Sequence, residues 1–482
     1  MIKKKTIFVS LYRSFAIRYI LETGLLDELA RDHKIIIFMK NENIHYYKNF
    51  FKTHKKDFFV EDIFYSKASL LKKNILADFF ILLRRFISGS KSGYTNKNIN
   101  DLWNIKFDQE IRNKHFYYPI KFFCFFLNKF KYLRLFLRFF ESFTQNNKIY
   151  DNYFIKYKPD LLILSSSGYD IDQYFIKASN KYNCKSVGIV YSWDNPTTKG
   201  YSALAPSYII CWNDILKKEI SIFHDIKKQN IFPTGVIHWD NYFKDEKSHT
   251  SIKEDFCNRL NLKNKKIITF FSSAPNEFKN SFNVISDLIS LKNENKIEFD
   301  VQFLIRLHPL FLEDNFQKNF LNFNLNKKIN ELSKNQDIQF INPHIIKTGG
   351  ESSFDTKYPI EDINIIKEIL ISSDVFICEY STTMIEACIF DKPIINVGYG
   401  EYRNTGKHIK IFEKHHHIQR AKAADFFRIA YDKSKLCTHI NNYLRNPKLD
   451  FENRANFLNK ELNHIKGNSK EFTLKILNSL LS

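Results

Sequence analysis

No two cysteines in this sequence stand in a CxxC pair. The seven present, at positions 124, 184, 211, 257, 378, 388 and 437, are dispersed and odd in number. That pattern excludes a disulfide framework and fits a reducing, cytoplasmic compartment. Several lie inside apolar runs, where cysteine packs as a small hydrophobe. Zinc-finger spacing and an aromatic RNP-like run are both missing, so nothing supports nucleic acid as a partner. Apolar runs are short, and none reaches the ~18 residues of a membrane-spanning helix. The first, within "KTIFVSLY", is about five residues, below the roughly 7–15 of a secretory signal core. Acids are missing from one long stretch: residues 111–140 hold seven Lys or Arg and no Asp or Glu.

What is present reads as globular. The 482 residues are 44% hydrophobic and 26% charged, enough for two domains with sizeable cores. Abundant Phe, Tyr, Lys, Asn and Ile suggest an AT-rich coding bias, so abundance alone argues little. The net charge of +21 still favours anionic partners such as phosphorylated substrates or anionic lipid.

The pattern along the chain alternates strand and helix. "KTIFVSLY", a helical stretch over 13–32 and "HKIIIFMK" form a βαβ start. Residues 68–145 are helical, aromatic and basic, and form an insertion. Two readings stand there. The insertion packs on the sheet, or it lies on a membrane with Phe and Leu in the interface and cations toward anionic headgroups. Clustered cations near lipid contribute about 1 kcal/mol each. From residue 150 the rhythm resumes through "KPDLLIL", "CKSVGIV" and "SYIICW". A charged stretch, 244–255, reads as a linker, followed by "KKIITFF", "VQFLIR", "DVFIC" and "KPIINV". The expected fold is α/β: two Rossmann-like doubly wound domains, 1–245 and 256–482, with a cleft between them. The last helix is a candidate to return to the first domain. Ligands in such sheets sit beyond the carboxyl ends of the strands.

Chemistry-bearing motifs fall at those ends. In "CEYSTTMIEA" a strand runs into Ser381, Thr382 and Thr383 at a helix start. Hydroxyls and free backbone N–H groups there suit a diphosphate, although Ser and Thr also cap helices without any ligand. Glu386, one turn on, is placed for ribose hydroxyls. "FLIRLHPL" ends in Arg306 and His308, an anion fork beside a proton donor. Ser272 and Ser273 in "FFSSAP" are further phosphate donors or a plain polar turn. "TGVIHWDNYF", with His238 and Asp240, reads as hinge and cleft wall. "SSSGYDID" imitates a D-x-D metal site but reads as a loop and helix start. Three adjacent His at 415–417 cannot all face one ion, so no metal is expected. "YSWDNPTTKG", 191–200, follows a buried strand. Asp194 is its candidate general base, with Trp193 to stack on a ring and Asn195 and Lys199 to meet acceptor or phosphate. The alternative is an Asx-turn at Asp194 or Asn195 ahead of Pro196.

The strand followed by S-T-T-x-x-E-A and D-K-P-I-I resembles the nucleotide-binding segment of GT-B glycosyltransferases. The wider order "KPDLLIL", "CWNDILKKEI", "TGVIHWDNYF" and "IRLHP" is most similar to bacterial surface-polysaccharide and CDP-glycerol glycerophosphotransferase-like proteins. The resemblance implies a metal-independent, cytoplasmic enzyme, peripheral on the inner membrane face and without a cofactor. It would move a sugar from a nucleotide-activated donor to a surface-polysaccharide or lipid-linked glycan acceptor. Arg306 and His308 then serve the donor phosphate, with His308 also catalytic. Where the family carries a His-Gly-Thr-Pro-type loop with a base His, this sequence has Trp-Asp-Asn-Pro. Three alternatives follow: a CDP-glycerol- or CDP-ribitol-type transferase, a non-hydrolysing UDP-sugar 2-epimerase, and a non-catalytic membrane- or glycan-binding module.

Overall fold

The computed structural model describes residues 4–64, 79–80, 83–84, 87, 114–144, 148–169, 171–202, 204–244, 247–278, 280–313, 317, 321, 323–349, 356–401, 408–463 and 466–482. Most of the expected insertion before residue 114, and Asp170 of the D-x-D imitation, lie outside them. The chain divides into two units. One is Met1–Asp240 with Ile346–Pro359 and Leu462–Ser482; the other is Asn241–Ile345 with Ile360–Glu461.

The first unit is built on seven strands: β1 (Thr6–Ser10), β2 (Lys34–Met39), β3 (Phe58–Asp62), β4 (Leu161–Leu164), β5 (Lys185–Ile189), β6 (Tyr208–Cys211) and β7 (Ile231–Pro233). All pair in parallel, in the order β3-β2-β1-β4-β5-β6-β7. The central strands are near-continuous apolar runs because parallel strands are covered on both faces. "LLIL" of β4 and five residues of "KIIIFM" in β2 are buried. The helical stretch over 13–32 is broken. A π-helical turn, Ile17–Leu21, ends ahead of Gly24, whose φ of 72° is left-handed, and a new helix begins at Leu25. Periodicity alone does not register such a break, which glycine permits at no steric cost.

The second unit opens with β8 (Lys266–Phe271), β9 (Val301–Arg306) and β10 (Ile338–Phe340). The chain then gives the first unit a short antiparallel pair, β11 (Ile346–Lys347) and β12 (Thr356–Lys357). It returns for β13 (Val375–Cys378), β14 (Ile394–Val397) and β15 (Arg428–Ala430). This sheet is parallel, in the order β10-β9-β8-β13-β14-β15. Its core joins Ile268, Phe270, Phe303, Ile305, Ile377 and Val397 with the flanking helices.

The expected linker is partly a helix, His249–Arg259, whose Ser248 cap accepts the Ser251 N–H at 3.2 Å. The last helix, Ser469–Leu481, belongs to the first unit. Its first N–H groups, of Ser469 and Lys470, donate to the Asp240 carboxylate at 2.9 and 2.8 Å. A carboxylate at a helix N-terminus satisfies orphan donors and complements the dipole. Asp240 is therefore a capping residue contributed from far away in the chain.

Candidate functional site

In a doubly wound sheet the connections leave the first strand in opposite directions, and the gap this opens at the carboxyl edge is where ligands sit. In the second unit that point lies between β8 and β13. The residues that end these strands and their neighbour β9 are Ser272, Ser273, Arg306, His308, Glu379 and Ser381–Thr383.

On the β8–β9 side, Ser272 staples two strand ends together. Its N–H donates to the Arg306 carbonyl at 3.0 Å, and its Oγ accepts the His308 N–H at 2.8 Å. The hydroxyl hydrogen remains available. His308 Nδ1 accepts the Leu310 N–H at 3.2 Å, which places the ring proton on Nε2. Burial, with the Arg306 charge nearby, pulls the His308 pKa down to about 4. His308 is thus a neutral Nε2–H donor at physiological pH. Arg306 is buried and ion-paired with Asp362 at 2.6 Å, and its second branch reaches the Asn342 carbonyl at 3.5 Å. The expected free phosphate fork is in fact a braced guanidinium, because a buried cation needs a counter-charge.

On the β13 side the chain turns sharply. Tyr380 has a left-handed φ of 45°, uncommon for a bulky residue and held here from both ends. Its N–H donates to Asn396 Oδ1 and its hydroxyl to Glu413 Oε1, each at 2.5 Å. Ser381 Oγ accepts the Thr383 N–H at 3.3 Å, leaving its own hydrogen to donate. Thr383 Oγ is buried and unpartnered among the described residues. The helix Thr383–Ile389 has only seven residues, so its dipole offers an anion less than the hydroxyls do. Glu386 is buried, and its Oε2 accepts the Tyr242 hydroxyl at 2.5 Å.

Between the two sides lies Glu379, read from the sequence only as a strand end. It is buried, and Oε2 accepts both the Ser273 N–H and the Ser281 hydroxyl at 2.8 Å. Oε1 takes no hydrogen bond from the described residues. The Ser273 hydroxyl is committed to the Glu379 carbonyl. Burial pushes the Glu379 carboxyl up to about 7, against the opposing pull of Ser273 and Ser281.

The first unit repeats this arrangement where β1 meets β4. Asp172 is buried and accepts the Ser10 hydroxyl at 2.7 Å and the Ser165 hydroxyl at 2.9 Å. Burial pushes its carboxyl up to about 6, while those serines pull it down. Asp172 opens the helix Asp172–Lys181, as the loop-and-helix reading of "SSSGYDID" expects. Further along, Asp194 sits at the N-cap of a helical turn, Asn195–Thr198. Its two carboxylate oxygens accept the hydroxyls of Ser192 and Thr198. Its carbonyl accepts the Thr197 and Thr198 N–H groups at 3.0 and 2.9 Å. Asp194 therefore organises its own loop. Trp193 is 2% exposed, which corrects its reading as a stacking platform: the ring fills the interior. Asn195 begins the turn and is half-buried, while Lys199 is exposed.

The carboxylate Glu379 and the brace Asp362 had no motif to mark them, and Asp172 was marked only as part of the D-x-D imitation in "SSSGYDID". The available signal was position, one residue past a strand or at a helix start, and it gains meaning only once strand order is known.

The model of the family described as CDP-glycerol:poly(glycerophosphate) glycerophosphotransferase matches residues 163–475. No curated protein sequence matches the chain. Among solved structures, a glycosyltransferase from Rickettsia africae is similar at TM-score 0.50 and 12% identity, covering 100% of this chain and 99% of that one. The UDP-GlcNAc 2-epimerase of Methanocaldococcus jannaschii is similar at TM-score 0.50 and 13% identity, covering 99% of each chain. A variant of the wall teichoic acid polymerase TagF aligns at TM-score 0.47 and 11% identity, over 99% of this chain and 89% of its own. At such identities the likeness is one of fold.

Proposed function

The chain belongs to the CDP-glycerol:poly(glycerophosphate) glycerophosphotransferase family, and from that membership we propose that it moves a polyol phosphate from a cytidine diphosphate donor onto a cell-envelope polymer. Its two doubly wound units are of the GT-B class, and it is a glycosyl- or glycerophosphate transferase. The observation that carries the finer reading is the donor-rich edge between β8 and β13, which lies inside the matched span. Three groups there have hydrogens to give to a diphosphate: Ser272 Oγ, His308 Nε2 and Ser381 Oγ. Thr382 and Thr383 flank them, Arg306 adds its charge from behind, and Glu386 is assigned to the ribose.

In the proposed reaction an acceptor hydroxyl oxygen bonds to the transferred phosphorus. The bridging P–O bond breaks, and CMP leaves with the electron pair. The neutral His308 donates its Nε2–H bond to the oxygen that gains charge, an interaction stronger in the transition state than before it. The acceptor proton goes to a base, which the proposal assigns to Asp194 of the first unit. In this reading the envelope polymer is made at the cytoplasmic face of the membrane. The loop 191–200 favours a second reading. Trp193–Asp194–Asn195 stands where the related loop carries a base His, so a nucleotide-activated sugar is the alternative donor.

Nucleotide release separates the readings. CMP released from CDP-glycerol or CDP-ribitol in the presence of acceptor supports the first. UDP or GDP released from sugar nucleotides alone supports the second. Acceptor-free conversion of a UDP-sugar would sink both in favour of an epimerase. If Asp194→Asn and Glu386→Ala both leave turnover intact, those two assignments are wrong.

A further inference from the structure

Helices that cover a core turn their apolar stripe inward and their charges outward. The two described helices of the insertion, Lys114–Lys129 and Lys131–Thr144, do the reverse along much of their length. Beyond its first residue, Lys131, the charged residues of the second helix point inward and are paired. Arg134 forks onto both oxygens of Asp225 at 2.7 Å. Arg138 donates to the carbonyls of Ser202 and His224 at 3.2 and 2.8 Å and lies 4.4 Å over the Tyr201 ring. Glu141 meets Arg84 at 2.6 Å. A thin apolar seam of Ile120, Cys124, Leu127 and Leu137 completes the inner contact.

The rings are on the outside. Phe122 is 61% exposed, Phe125 61%, Tyr132 84%, Phe136 60%, Phe139 58% and Phe143 68%. Large apolar side chains gathered in this way mark a surface that something covers. Lys129 and Lys131 are exposed where one helix passes into the next, and the only acid on either helix is the buried, paired Glu141.

We propose that this outer face is a docking surface for an anionic phospholipid bilayer, entered by the rings to the depth of the headgroup boundary. Charge complementarity selects this occupant. A second copy of the chain would bring Lys129 and Lys131 against their own kind in a molecule already at +21. Anionic headgroups instead take the lysines while the rings leave water. No described helix is long and apolar enough to cross a membrane, so the helices lie along the surface. The inward contacts to Asp225, Ser202, His224 and Arg84 then act as anchors that hold the second helix in place while leaving its apolar side outward. This inference rests on the helices alone and stands whether or not the donor assignment does.

Flotation of the full chain with vesicles tests it. Protein should rise with phosphatidylcholine–phosphatidylglycerol vesicles and stay behind with phosphatidylcholine alone, and binding should weaken as salt is raised. The triple variant Phe122→Ser, Phe136→Ser, Phe139→Ser should lose flotation with an unchanged melting temperature, because the replaced rings are outside the core. Lys129→Glu with Lys131→Glu should weaken binding to the mixed vesicles about tenfold or more. Equal binding to both vesicle types would overturn the anionic assignment. A chain that binds neither and sediments as a dimer, which the triple variant converts to a monomer, would show that a second copy covers the face. A monomer that binds neither would end the docking proposal. Nucleotide release measured without vesicles reports separately on the donor reading.

Discussion

Glu379 is the residue whose chemistry changes most between sequence and structure. Its carboxyl titrates from the ordinary 4.5 when unfolded and from about 7 when folded. Between those values the native chain keeps a proton that the unfolded chain has shed. The stability this contributes is complete below the unfolded value and is lost as pH rises through the folded one, by up to about 3 kcal/mol. Glu379→Gln should flatten that slope, so denaturant melts of the two proteins should diverge from pH 5 to 7 in favour of the variant. The same protonation bears on the donor. A neutral carboxyl can give Oε1–H to a phosphate oxygen, whereas a carboxylate repels it. Donor KM should therefore climb above pH 7 in the parent and stay level in Glu379→Gln. His308 behaves in the opposite sense. With a pKa of about 4 it adds no limb to the pH–rate profile near 6.5. His308→Gln, which keeps an N–H near the Nε2 position, should retain activity that His308→Ala loses by about a hundredfold. Asp194 shows what a single residue type leaves undecided. The quoted loop identifies a carboxylate after a strand, but its Ser192 and Thr198 partners appear only once the turn is built.

At the scale of elements, the ends of strands are held to neighbouring helices by charges. Arg306 closes β9 onto the helix Ile360–Ser372 through Asp362, whose Oδ1 also takes the His344 N–H at 2.8 Å. Asp362→Ala leaves the buried cation alone and should cost about 3–5 kcal/mol in urea melts. Replacing both partners with Leu should cost much less, and a double-mutant cycle measures the difference. Asp240→Ala strips the cap from the last helix and should cost about 1–2 kcal/mol. The strands most legible in the sequence were those buried on both faces, such as "KIIIFM" and "VFIC". Those not singled out are edge strands or very short ones. "FFVED" of β3 is only partly buried, and "RIA" of β15 has three residues. The break at Gly24 and the two-residue strands β11 and β12 carry no periodic signal at all.

For the molecule as a whole, two doubly wound sheets were readable from the repeated strand–helix rhythm. Their strand order was not, because one sequence contains no record of which strand lies beside which. The β8–β13 gap and its Glu379 were therefore out of reach, although Ser272, Ser381 and His308 were not. The assignment of segments to units leads to a further prediction. Deleting residues 466–482 should raise amide exchange in β1–β7 and leave β8–β10 and β13–β15 protected, although second-unit sequence ends at Glu461, only shortly before the cut. The same three-part assembly bears on how the protein is made. Residues 462–482 leave the ribosome after every residue of the second unit. The second unit can thus close on itself during translation, while the first, though begun earlier, waits with the docking place for Leu477 and Leu480 uncovered. During that interval apolar surface of the N-terminal half stays uncovered, the opposite of the usual order in which the first domain made is the first to fold.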